Sequence, residues 1–247
     1  MLRILSITIP VCLLLNACSY LPEENGTRTH LREENGDYSV YYSTELAPGN
    51  AFLLIPGGLV DPYVYECWIN RLAGENPDVA IVLLKFPSNL AITHMGKVMK
   101  IARRLDQFDH WVVGGHSLGG VVAATVVHKN QDFFDGMVML ASWARESTDL
   151  SSWQGAVLSI YASEDQIASK DEIERNTQYL PPGSQIGLPP DFGAGKSRTY
   201  YYRVEGGNHS GFGCYGPQKG DGEALISPAE QQDEMITLLT AYFDWLW

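Results

Sequence analysis

Ser117 stands in Gly114-Gly115-His116-Ser117-Leu118-Gly119-Gly120, a spelling suited to chemistry at a serine hydroxyl. Gly115-x-Ser117-x-Gly119 is the G-x-S-x-G pattern of a nucleophile elbow, a reversal from strand to helix with the serine at its tip. So sharp a reversal strains the serine backbone and leaves no room for side chains two positions away on either side, which is where the glycines stand. The apolar run Trp111–Val113 before it reads as a buried strand, and Val121–Val127 after it as a helix. The turn lifts the hydroxyl above the sheet edge and sets the Leu118 N–H at the helix start, where negative charge is favoured.

A serine hydroxyl is a weak nucleophile without a base, and the base needs an orienting partner. The chain order expected with this elbow is serine, then an acid, then histidine. Of the six histidines, His30 lies in a polar N-terminal stretch, His94, His110 and His128 fall on helices or their ends, and His116 points away from Ser117 as its direct neighbour. His209, in Gly206-Gly207-Asn208-His209-Ser210-Gly211-Phe212-Gly213 after the last strand, is read as the general base. The acid is expected at the carboxyl end of the preceding strand, where sites in parallel sheets gather. Asp165 is preferred there over its neighbour Glu164, because the following Gln166-Ile167 suits an Asp turn. An oxyanion hole needs a second backbone N–H besides that of Leu118. Pro56-Gly57-Gly58-Leu59 supplies a loop whose glycines let amides face a ligand, with either Gly58 or Leu59 as the donor.

The elements that must hold these residues alternate along the chain. Tyr38–Tyr42, Ala51–Ile55, Val79–Leu84, Gly136–Ala141, Ala156–Tyr161 and Thr199–Val204 read as strands. Helical spacing runs over Tyr63–Ala73, Leu90–Leu105, Ala168–Tyr179 and Pro228–Trp247, and residues 181–198 read as a long loop. Strands that are continuous apolar runs between helices give an α/β fold: a mostly parallel central sheet with helices on both faces. With 247 residues, 45% of them hydrophobic, the chain builds one full core, over 37–247, with no second domain. Its net charge of −12 argues against a nucleic-acid partner. No His/Cys cluster has metal-ligand spacing and no P-loop is present, so neither metal nor cofactor is expected.

The first residues read as an export signal. Ile4–Leu15 is apolar, shorter than the roughly 20 residues of a spanning helix. It ends in Leu15-Asn16-Ala17-Cys18, which resembles the bacterial lipobox. That resemblance implies a signal peptide over 1–17, lipidation (palmitate or a similar acyl chain) at Cys18, and a membrane-anchored envelope lipoprotein, with Ser19 favouring the outer membrane of a Gram-negative cell. Residues 18–36 are then expected to be a polar tether.

Taken together, Pro56-Gly57-Gly58-Leu59-Val60-Asp61-Pro62, Phe86-Pro87-x-Asn89-Leu90-Ala91, the Ser117 elbow and Gly206-Gly207-Asn208-His209-x-x-Phe212-Gly213-x-Tyr215-Gly216-x-Gln218-x-Gly220-Asp221-Gly222 resemble the α/β-hydrolase superfamily, in a small lidless serine-hydrolase branch. The resemblance runs from about residue 38 onward and implies the α/β-hydrolase fold and a serine hydrolase, read here as an esterase and expected to be a monomer. Its substrate is expected to be a small-molecule carboxylic ester or thioester with a short acyl group, because no lid is inserted between residues 141 and 156. Acyl transfer on the same triad, or a non-catalytic envelope binding protein on a hydrolase scaffold, are the alternatives. Cys67 and Cys214 follow the oxyanion and His209 loops, which converge on one rim. They form a disulfide or stay two separate buried cysteines. Tyr63, Tyr65, Trp68, Phe212 and Tyr215 line an acyl pocket or pack in the core and rim.

Overall fold

The computed structural model describes residues 19–23, 28–193 and 197–247. The proposed signal peptide and Cys18 lie outside them. The described strands are β1 (Leu31–Glu34), β2 (Tyr38–Tyr41), β3 (Asn50–Ile55), β4 (Val79–Leu84), β5 (His110–His116), β6 (Gly136–Leu140), β7 (Ala156–Ala162), β8 (Gly183–Gln185) and β9 (Thr199–Val204). They form one sheet in the order β1-β2-β4-β3-β5-β6-β7-β9-β8. Pairing is antiparallel at β1–β2 and β2–β4 and parallel from β4 through β8.

Strand alternation divides the core between the two faces. Leu53, Ile55, Val82, Val113, Met137 and Val157 pack against α2 (Gly96–Arg104) and α3 (Leu118–Lys129). Phe52, Leu54, Ile81, Val112, Val138 and Leu158 pack against α1 (Glu66–Glu75) and α5 (Pro228–Leu246). Because both faces are covered, the central strands are apolar at nearly every position. A shorter helix, α4 (Lys170–Asn176), follows β7 and buries Ile173. The fold is thus the α/β-hydrolase fold, with no separate lid among the described residues: between β6 and β7 the chain makes one 3-10 turn, Glu146–Thr148. Among the described residues no helix is long and apolar enough to cross a membrane.

Three sequence expectations need correction. The stretch expected to be a tether over 18–36 is partly built into the fold. Leu31–Glu34 is an edge strand on β2, and Arg28 bridges Glu34 at 2.7 Å and Glu66 at 3.0 Å. Arg28, the largest influence, with Lys85 and Tyr63 holds the Glu34 carboxyl down to about 2. An exposed edge strand fastened by charge carries no apolar run to betray it. Likewise the 181–198 loop contains β8, a short exposed strand parallel to β9. Finally, two expected helices open, and one closes, on 3-10 turns: Pro62–Tyr65 precedes α1, Ala91–Thr93 precedes α2, and Thr177–Tyr179 follows α4.

Cys67 on α1 and Cys214 after the His209 loop are joined by a disulfide, with Cα atoms 6.5 Å apart. The bridge closes a chain separation of 147 residues, which removes loop entropy worth about 5 kcal/mol from the unfolded state in the chain-entropy account. Replacing both cysteines by serine is therefore expected to lower the unfolding free energy by about 2–5 kcal/mol. Urea denaturation of the variant beside the oxidised parent reads the difference, and equal midpoints would contradict it.

Candidate active site

Register brings the candidate residues to one edge of the sheet. Ile55, ending β3, pairs with Gly115 of β5, and Ala162, ending β7, pairs with Val204, ending β9. The loops carrying Gly57–Leu59, Ser117, Asp165 and His209 therefore leave β3, β5, β7 and β9, parallel strands of one sheet, at their carboxyl ends. At the elbow, Ser117 has φ 54° and ψ −124°. A Cβ on Gly119 would lie 2.2 Å from the Ile55 carbonyl oxygen, and one on Gly115 2.3 Å from the Gly119 backbone. Neither position accepts a side chain.

His209 Nδ1 lies 2.8 Å from Asp165 Oδ2, with both side chains fully buried. Asp165 Oδ1 accepts from the amides of Ile167 (2.8 Å) and Ala168 (2.7 Å), the turn its sequence suggested. Glu164, the alternative acid, instead accepts from Ser163 Oγ at 2.8 Å. A carboxylate can only accept, so Nδ1 carries the proton and Nε2 of the neutral ring is left as an acceptor. Nε2 is buried and has no hydrogen-bond partner among the described residues. Leaving such an atom unpaired is costly, and it is the atom a general base would use. The Ser117 hydroxyl is not bonded to it, and such contacts commonly tighten when the reacting group is in place.

Leu118 opens α3, where first-turn amides have no partner within the helix. Gly58 packs against it, since a Cβ there would come within 2.9 Å of Leu118 Cδ2. Leu59 is corrected as an oxyanion donor. Its N–H is occupied by the Asn89 carbonyl at 2.8 Å, and its φ of 60° holds it in the left-handed region. Gly58 is left as the loop's candidate donor.

His116 has a role that its position beside the serine did not suggest. The Gly57 N–H donates to Tyr65 Oη at 2.9 Å, Tyr65 Oη lies 3.0 Å from His116 Nδ1, and His116 Nε2 lies 3.2 Å from the His209 carbonyl oxygen. One proton arrangement satisfies all three contacts. The carbonyl accepts from Nε2–H, Nδ1 accepts from the tyrosine hydroxyl, and that oxygen accepts from Gly57. The oxyanion loop, the elbow and the base loop are thereby linked. Burial first, and the nearby His209 second, hold the His116 pKa well below the ordinary 6.5, in keeping with the neutral ring this bonding requires.

The His209 loop is held from both ends. Asp221 accepts from the amides of His209 (3.2 Å), Ser210 (2.8 Å) and Gly222 (2.8 Å). From α5, Gln231 accepts from the Asn208 amide at 3.0 Å and donates to its carbonyl at 2.9 Å, and Gln232 donates to the Gly211 carbonyl at 3.1 Å. These glutamines escaped the sequence reading because Pro228-Ala229-Glu230-Gln231-Gln232 looks like a solvated helix start. The available signal was Gly207 and Gly211, where a Cβ would meet Gln231 Oε1 at 2.5 Å and 2.2 Å. Tyr65, Trp68, Phe212 and Tyr215 pack in the core, and Tyr63 bonds Glu34 at the surface. Among the described residues no group of three His, Cys, Asp or Glu is placed to hold a metal ion.

Two outcomes are expected. A group kept neutral in the native state but free to protonate when unfolded makes the unfolded state bind more protons below its unfolded pKa. Stability should therefore fall as pH drops below 6.5, by about 1.4 kcal/mol per pH unit from His116 alone. Chemical denaturation between pH 7 and 5 should show a shallower slope in His116→Gln, and an unchanged slope would contradict the buried neutral ring. Gln231→Leu leaves the Asn208 amide and carbonyl unpaired and should destabilise the protein by about 3 kcal/mol. Amide exchange should also quicken in the His209 loop before it does elsewhere.

The model of the alpha/beta hydrolase family matches residues 51–189 and 192–233. No curated protein matches the chain in sequence. Among solved structures, the fold is similar to a monoacylglycerol lipase from Paleococcus ferrophilus (TM-score 0.58, 12% identity, 83% of this chain and 98% of that one). It is also similar to a predicted CIB-like hydrolase from Thermoplasma acidophilum (0.59, 15%, 85% and 98%). A thermophilic esterase from Thermogutta terrifontis superposes as well (0.54, 13%, 88% and 96%). The match over most of the chain, on this sheet and elbow, shows that the protein belongs to the alpha/beta hydrolase family.

Proposed function

We propose that the protein hydrolyses a carboxylic ester or thioester through an acyl-serine intermediate. The observation that carries this reading is His209: its Nδ1 is fixed by Asp165, while its Nε2 is buried and unpaired at the edge that bears Ser117. In this reading Ser117 Oγ attacks the carbonyl carbon as His209 Nε2 takes its proton, and Asp165 stabilises the resulting imidazolium. The Leu118 and Gly58 amides receive the charge that develops on the carbonyl oxygen. His209 then gives its proton to the departing alcohol or thiol. Water, deprotonated by the same ring, releases the acid and restores Ser117. A monoacylglycerol lipase and an esterase among the structural neighbours favour an ester, and the single turn between β6 and β7 favours a small or short acyl group. We further propose that Cys18 carries a lipid that anchors the protein in a bacterial envelope, the reading its lipobox-like context supports.

Fluorophosphonate labelling tests the nucleophile. The parent protein is expected to label once, at Ser117, and Ser117→Ala and His209→Ala to abolish labelling. Asp165→Asn should keep the fold and reduce ester turnover by about 10⁴-fold. A folded parent that takes no label would overturn the mechanism and favour a binding role.

A further inference from the structure

The chain just after Cys18 is stitched across the rim of the candidate site. The Tyr20 N–H donates to the Leu59 carbonyl at 2.9 Å, and the Asp61 N–H donates to the Tyr20 carbonyl at 2.9 Å. Tyr20 thereby forms a parallel bridge with Val60 on the oxyanion loop. The Tyr20 ring packs on Tyr215, with centroids 5.2 Å apart. Asn89 Nδ2 donates to Ser19 Oγ at 3.4 Å, and the carbonyl of the same Asn89 holds Leu59. The Glu23 N–H donates to the Cys214 carbonyl at 3.0 Å. Within Ser19–Glu23 the chain thus touches the oxyanion loop, the Asn89 turn and the end of the His209 loop.

This leaves no spacer. Successive Cα atoms are about 3.8 Å apart, so Cys18 is one such step from a residue bonded to Asn89. Leu21, between the bonded residues, is 62% exposed, and Ile92, three residues past Asn89, is 38% exposed. Leu59, Leu90 and Leu118, in the segments that carry Gly58, Asn89 and Ser117, are half-buried. An apolar rim meets the point where the chain outside the structure begins, and one occupant suits both: the bilayer that takes the Cys18 lipid.

We infer that the face bearing Ser117 lies against the membrane, and that the substrate is an amphiphile whose tail stays in the bilayer while its ester stands at the surface. The inference rests on the proposed lipid at Cys18 and, for the substrate, on the proposed esterase activity. Water cleaves the acyl–oxygen bond, giving a short-chain carboxylic acid that leaves and an alcohol that remains anchored by its tail. Such a substrate reaches the site by lateral diffusion, which accommodates a short acyl group without a lid.

The test uses the full-length lipoprotein in phosphatidylcholine vesicles, with mass spectrometry reading the lipid on Cys18. A fluorophore is placed on Ile92→Cys at the rim or on Asp78→Cys at the start of β4, roughly 20 Å away along a strand, and quenched with a nitroxide-headgroup lipid. The rim label is expected to be quenched severalfold more than the Asp78 label. About twenty Ser-Gly residues inserted between Cys18 and Ser19, with a reach of roughly 25 Å, should erase the contrast. Equal quenching in the parent, or a chain without lipid on Cys18, would overturn the orientation. The substrate arm compares a vesicle-borne butyrate ester of a hexadecyl glycerol ether with p-nitrophenyl butyrate, which share one acyl group. The spacer should slow the first about tenfold by diluting the site away from the surface and leave the second unchanged. Equal slowing of both esters, or slowing of neither, would overturn the substrate assignment. Absence of turnover on both, with the quenching contrast intact, would refute the esterase reading and uphold the orientation.

Discussion

The site depends on backbone being allowed to touch backbone at the elbow. Gly119 lies so close to the Ile55 carbonyl that a Cβ would sit 2.2 Å from it, and Gly115 lies equally close to Gly119. That contact lets α3 begin one residue after the serine and against the end of β3. It also decides what else can be near. With β3 and the elbow pressed together, Gly58 reaches Leu118, and the two candidate oxyanion amides become neighbours. Ser117 is one of several non-glycine residues in the left-handed region, together with Leu59, Asn89 and Ala141. Each terminates or follows a segment at this edge, which is where backbone strain commonly gathers in functional sites.

Around that contact the polar groups are ordered rather than merely present. The chain from Gly57 through Tyr65 and His116 to the His209 carbonyl has one proton arrangement, and the Asp165–His209 pair has one tautomer. Two buried imidazoles, with ring centroids 4.6 Å apart, are thus given opposite protonation patterns: His116 holds its hydrogen on Nε2 and His209 on Nδ1. The difference lies wholly in the partners, a carbonyl and a tyrosine for one, a carboxylate for the other. One ring is saturated and inert, and the other has a lone pair left over.

Much of this was legible in the sequence, for local reasons. Strands β3 to β7 are largely apolar runs because both faces of the sheet are covered, and β9 is a tyrosine-rich run. The elbow announces itself by glycines at fixed spacing on either side of Ser117, although what forces Gly119 is the Ile55 carbonyl of β3. Asp165 could be separated from Glu164 by the turn its side chain makes with its own backbone. What stayed hidden depends on partners that the local pattern does not name. β1 and β8 are exposed edge strands whose membership rests on the neighbour they pair with. Leu59 could not be told from Gly58 until Asn89 was seen to occupy its amide. Tyr65 and His116 are 51 residues apart, and His116 and His209 are 93 apart. Gln231 looks like any polar residue in a first helical turn until the glycines it fills are brought beside it.

The grip of α5 on the His209 loop also orders events in time. A ribosome delivers Asn208, His209 and Gly211 before Gln231 and Gln232, so when the loop is made, the amide groups that fix it do not yet exist. A nascent chain long enough to include Ser117, Asp165 and His209 is therefore still a chain with an unsupported His209 loop. The helix that completes the loop also packs Met235, Leu239 and Phe243 onto the sheet. Packing against the sheet and support for the candidate site thus arrive on the same element.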